Sequence, residues 1–226
     1  MVESAQSLYG SSTLPNIFQS STPFLKDIIE MIERSEKLAL DILNSMTGRN
    51  APSDNRNALA GAAFDSVLEH QRAVNLIIQN KMHGSALALL RPMYEGCITG
   101  LWCKYVATDK RLCEFEEARF NLDPRQVISD LKATHDVEYR RKLLQIHNQS
   151  WRSLHSYVHS GILPISRRLS NSHIGNDYKE DDAVEILQYS NLMAIIAAIE
   201  LPDLTDDLEF RESIYKVVNE YSPAPA

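Results

Sequence analysis

SALALLRPMYEGCITGLWCKYV, residues 85–106, reads as the most apolar run of the chain and is long enough to cross a bilayer. Arg91, Glu95 and Lys104 interrupt it, and three charges in one span favour a buried core helix over a membrane span. Pro92 lies inside this helix, where loss of a backbone donor predicts a kink beside Arg91. Gly96 and Gly100 have no preceding strand that would make them a phosphate loop, so close helix packing is their expected role. Gly84 and Ala88 are expected to act the same way on the face that presents Arg91 and Glu95.

Further helices follow on either side of this core run. Leu25, Ile28, Ile29, Ile32, Leu38, Ile42 and Leu43 keep helical spacing up to Thr47-Gly48. Pro52-Ser53-Asp54-Asn55 supplies capping residues for a second helix through Phe64, Val67, Leu68, Val74, Ile77 and Ile78 to about Lys81. Shorter peripheral helices are predicted after Asp109 and after Asp123-Pro124. A long helix over 136–159 places Leu144, His147, Trp151, Leu154 and Val158 on one stripe, with Gly161 and Pro164 ending it. Helices over 180–200 and 204–221 complete the set, separated by Pro202. The expected fold is an all-α, single-domain antiparallel helical bundle. Residues 1–22 form a loosely held arm, 23–221 the bundle and 222–226 a tail.

The chain has 226 residues, 44% of them hydrophobic, which suffices for one sizeable core. Cys97, Cys103 and Cys113 form no Cys-x-x-Cys pair, arguing against a disulfide framework and against a cysteine-only zinc site. Cys97 and Cys103 fall in the apolar helix, where free cysteine behaves as a small core residue. A cytoplasmic location fits, since no secretory signal is visible after Met1. The net charge of −7 alone argues against a nucleic-acid partner, and no DNA is expected, but the average hides a contrast. Residues 132–168 carry seven Lys or Arg against two acids, together with four of the seven histidines. Residues 176–220 carry twelve Asp or Glu against three basic residues. RNA is the expected partner of the basic segment, with neutralisation inside the fold as the competing account.

Arg91 and Glu95 stand four apart, as do His155 and His159, so each pair shares a helix face. Charges inside an apolar stretch need partners, and an internal Arg91–Glu95 ion pair is the simplest account. His155 and His159 are expected at the edge of their helix stripe, partly buried and partly reachable.

The piece Ser85–Gly96, followed by Gly100-Leu101-Trp102 and later by a His-rich helix, resembles a bacterial family of helical domains of unknown function. The resemblance spans most of residues 55–169; it implies a cytoplasmic bacterial bundle and carries no activity over. Arg152-Ser153-Leu154-His155-Ser156-Tyr157-Val158-His159 is more loosely similar to HEPN domains, whose ribonuclease members share Arg, four to six residues, then His near a helix end. Arg141 to His147 fits with five intervening residues. The common pattern has four intervening residues and a polar amide or acid after the Arg, where this chain has Ser153 and Lys142. This resemblance implies a metal-independent RNase of a defence or toxin system, with Arg152 and His159 as catalytic residues and Arg91, Glu95 and His155 in support.

The chemistry is sound in itself. Arg152 and His159, seven apart, lie on one face after two turns. Arginine's planar fork suits a phosphate, and a histidine moves a proton near neutral pH. Two alternatives stand beside it. One is a non-catalytic bundle that homodimerises through the apolar third helix or binds a small ligand beside Arg91 and Glu95. The other is a metal held by His155, His159 and Glu95, although the carboxylates that bundle metal sites usually add in Glu-x-x-His spacing are missing. No cofactor is expected, and no membrane.

Overall fold

A computed structural model describes residues 28–133, 135, 137–169, 174–175 and 177–221. The predicted N-terminal arm and C-terminal tail lie outside the described residues. The fold is all-α. Its helices are α1 (Ile28–Met46), α2 (Asn55–Gln79), α3 (His83–Tyr105), α4 (Asp109–Glu116), α5 (Pro124–Asp130), α6 (Val137–Val158), α7 (Ile162–Ser166), α8 (Glu180–Glu200) and α9 (Leu208–Tyr221). Short 3-10 turns over Leu131–Ala133 and Pro202–Leu204 link them.

The α2–α3 hairpin is the centre, with α8 packed on both of its helices. Helix α2 starts where Asp54 accepts a hydrogen bond from the Asn57 N–H, satisfying one of the free donors of the first turn. Its buried residues Ala60, Phe64, Val67, Gln71, Val74 and Ile78 alternate three and four apart, as one helix face requires. The turn between the helices is closed by Lys81, which adopts a left-handed φ of 57°. Helix α3 continues unbroken through Pro92. The expected role of Gly96 and Gly100 is borne out. A β-carbon on Gly96 would lie 2.7 Å from Val67 Cγ2, and one on Gly100 2.3 Å from the Phe64 ring.

Helices α1, α6 and α9 close the outer sides. The stripe predicted for α6 is displaced: Leu144 and Val158 are exposed, and the buried line runs Leu143, Ile146, His147, Ser150, Leu154. His147 and Leu154 lie on both lines, whereas Leu143, Ile146 and the polar Ser150 of the true face were missed. A second polar feature joins three helices. Ser35 Oγ of α1 lies 2.6 Å from Oδ1 of both Asn75 on α2 and Asn191 on α8, and Gln71 Nε2 donates to the Ser35 carbonyl and to Asn191.

Among the described residues, Glu180–Leu204 is the stretch long and apolar enough to cross a membrane by length and composition, and 56% of its apolar window is buried inside the bundle. Residues 85–106, expected to be the most apolar run, do not pass that test, and 180–204 is the more apolar stretch.

Candidate functional site

Helices α3 and α6 cross so that Arg91, Tyr94 and Glu95 face His147, Trp151 and His155. Arg91 Nε donates to Glu95 Oε1 at 2.9 Å, the i, i+4 pair expected from the spacing. The pair is not fully internal: 15% of the Arg91 side chain and 43% of Glu95 are exposed. Arg91 has two further partners that the sequence did not suggest. Its Nη1 lies 2.7 Å from His155 Nδ1, and its guanidinium sits 4.7 Å from the centre of the Trp151 ring.

The ring ladder on α6 holds this arginine in place. Residues 147, 151, 155 and 159 recur every fourth position, so their side chains stack along one face. His147 stacks on Trp151 at 5.0 Å, and the His155 and His159 rings approach to 4.4 Å. At the inner end, Tyr94 OH lies 3.2 Å from His147 Nδ1, and burial pushes the Tyr94 phenol far above its ordinary range.

Burial lowers the His147 imidazole below its ordinary value, helped by the nearby charge of Arg125. A depressed histidine favours the folded state only while neutral. As pH falls through the unfolded value of about 6.5, the unfolded chain takes up the proton first and stability is lost. Thermal melts should therefore hold steady above pH 7 and decline toward pH 5.5. His147→Gln should flatten that decline, leaving the share of His83, which burial also lowers. An unchanged slope in His147→Gln would contradict the assignment.

The outer end of the ladder is reachable. Arg152, His155 and His159 are all exposed, and Arg152 has no carboxylate partner among the described residues. His159 lies just past the end of α6, where its N–H donates to the His155 carbonyl at 3.1 Å. Ser160 then turns left-handed (φ 51°) and Gly161 donates to the Ser156 carbonyl at 2.7 Å. A β-carbon on Gly161 would fall 2.5 Å from Ser156 Oγ, so glycine is needed there to hold the helix end beside the two histidines.

The sequence-predicted residues thus divide. Arg91, Glu95, His155 and His159 come together, while Arg152 shares their helix face without touching them. The three-ligand metal site of His155, His159 and Glu95 is not assembled. Among the described residues no group of three or more His, Cys, Asp or Glu is placed to hold a metal ion, and Glu95 is engaged by Arg91. Cys97 and Cys103 are core residues, and burial raises both thiols, that of Cys103 to about 11.

A deeper charged cluster escaped the sequence reading. Lys104 Nζ lies 2.9 Å from Glu200 Oε2 with both side chains under one-tenth exposed, and Tyr105 OH donates to the same oxygen at 2.8 Å. Burial raises the Glu200 carboxyl, but His135, Lys104 and Tyr105 outweigh it and hold the group below its ordinary value. The signal was present: Lys104 in one apolar helix and Glu200 at the end of another each called for a partner.

Two grooves of about 320 and 310 Å³ lie elsewhere, one floored by Gly61, Leu204 and Phe210 and the other by Leu143, Ile146 and Ile196. Neither is lined by Arg91, Glu95, His155 or His159.

No curated protein and no solved structure matches the chain. A family model described as a family of unknown function, DUF6988, matches residues 64–224, more than two thirds of the sequence, including Arg91, Glu95, Arg152, His155 and His159. The protein belongs to this family.

Proposed function

We propose that this protein binds RNA at the Arg91, His155 and His159 cluster and cleaves it without a metal ion. The observation that carries the reading is the 4.4 Å approach of two exposed imidazoles beside an arginine already bonded to one of them. Arginine always donates, so the contact with Arg91 makes Nδ1 of His155 an acceptor and puts the proton of the neutral ring on Nε2. That Nε2–H is a donor for a phosphate oxygen and a poor base. His159 carries no such constraint and is the base.

In the proposed reaction His159 takes the proton of the 2′-hydroxyl as O2′ attacks phosphorus. The P–O5′ bond breaks, O5′ is protonated from solvent, and the products are a 2′,3′-cyclic phosphate and a 5′-hydroxyl. Arg152, one turn from His155 and two from His159 on the same exposed face, holds the phosphate charge. The spacing of Arg152 and His159, similar to that of HEPN ribonucleases, favours the same reading. The open site favours a surface polymer over an enclosed small ligand.

Mixed RNA incubated with the protein in chelator tests it. Wild type should cleave and leave cyclic phosphate ends. Folded His159→Ala should lose on the order of 10²-fold or more in rate, and Arg152→Ala a smaller factor. Absence of cleavage by wild type overturns the catalytic reading in favour of a non-catalytic binding bundle.

A further inference from the structure

Resting on that reading, we infer that the RNA backbone crosses the site from Arg152 over His155 and His159 to Arg168, and that the rest of the basic segment takes no part. The seven cations of residues 132–168 are not equivalent once folded. Arg141 and Lys142 are both occupied by Glu138, and Arg167 by Asp182 at 3.1 Å. Lys132 and Arg140 lie before or near the start of α6, a helix about 33 Å long, with the two exposed histidines at its far end. This leaves Arg152 and Arg168, both exposed and without a carboxylate partner among the described residues.

Arg168 is far from Arg152 in sequence, yet the fold returns it to the site. A β-carbon on Gly84 would lie 3.6 Å from Arg168 Nη2 and 3.3 Å from Tyr178 OH. The Arg168 guanidinium therefore rests against the first turn of α3. Gly84 and Arg91 are seven apart on that helix, on one face, and about 10 Å apart along the axis. Two uncompensated guanidiniums thus flank the Arg91 and His155 contact, one on α6 and one across α3. Such a row matches a single polyanionic strand with one phosphate at the histidines and a neighbour on either side. Asp177, Glu180 and Asp181, all exposed on the way into α8, repel a backbone and end the track at Arg168.

The test is binding of the wild-type fold to a 2′-O-methyl RNA oligonucleotide, which lacks the attacking hydroxyl, read by fluorescence anisotropy across a salt series. Arg168→Ala should weaken binding about three- to tenfold at low salt. It should also reduce the slope of log affinity against log salt by about 0.7, the value for one lost phosphate contact on a single strand. Arg152→Ala should do the same, whereas Lys132→Ala and the Arg141→Ala/Lys142→Ala pair should leave both quantities unchanged. Binding that Arg168→Ala leaves unaltered, or that Lys132→Ala weakens equally, overturns the track while the cleavage reading stands. Failure of the wild-type protein to bind RNA at all overturns both.

Discussion

Gly100→Ala is expected to destabilise the bundle by about 3 kcal/mol, an overpacking cost at the upper end of the usual range. The added carbon would fall 2.3, 2.5 and 2.7 Å from three atoms of the Phe64 ring, distances no real contact shows. Phe64 is fully buried, so the ring has nowhere to swing and the α2–α3 hairpin must open. For a chain of this size the melting temperature should drop on the order of 10 °C. Phe64→Leu in the same chain removes the obstructing ring edge and should recover part of the loss. A Gly100→Ala variant melting within about a degree of wild type would show that the helices do not approach this closely.

Lys104→Met carries the second large expectation. It leaves the Glu200 carboxylate, 7% exposed, with Tyr105 and His135 but no ammonium. Breaking a buried pair from one side costs about 3–5 kcal/mol, because the remaining charge stays out of water. The effect is specific to the partner left behind. Lys104→Met with Glu200→Leu removes both charges and should restore most of the stability, since apolar replacements of buried pairs are often neutral. Equal melting temperatures for the single and double variants would mean the two groups are not coupled.

The contrast between this pair and Arg91–Glu95 shows how far the sequence reaches. Periodicity predicted the main helices because a buried face leaves a regular apolar trace, clear in Leu38 and Ile42 or in Phe64, Val67 and Val74. It predicted Arg91 with Glu95 because the partners are four apart on one helix. Lys104 and Glu200 stand 96 residues apart, and their pairing depends on how α3 and α8 cross. His155 was legible as a candidate but its bond to Arg91 was not, for the same reason. The basic segment shows the reverse error: a charge excess counted along the chain does not show that Glu138 pairs with both Arg141 and Lys142, and it leaves out Asp182, which pairs with Arg167 from outside the segment. The α6 stripe, right at His147 and Leu154, erred by one position elsewhere: Leu143 rather than Leu144 is buried, and the polar Ser150 that continues the true face leaves no apolar trace.

The Ser35, Gln71, Asn75 and Asn191 network has a consequence for alignment. Apolar helix faces tolerate sliding, since leucine beside alanine is as content one turn higher, 5.4 Å away. The four polar groups do not tolerate it, because each is answered only by groups of the other helices at a single relative height. A shift of α1 by one turn would leave Ser35 and Asn75 unanswered, at a cost of about 1–3 kcal/mol for each group, and a shift of α8 would part Gln71 from Asn191. The network therefore contributes little to how firmly the helices hold together and much to where they stop: it sets the one vertical register at which α1, α2 and α8 can stand side by side.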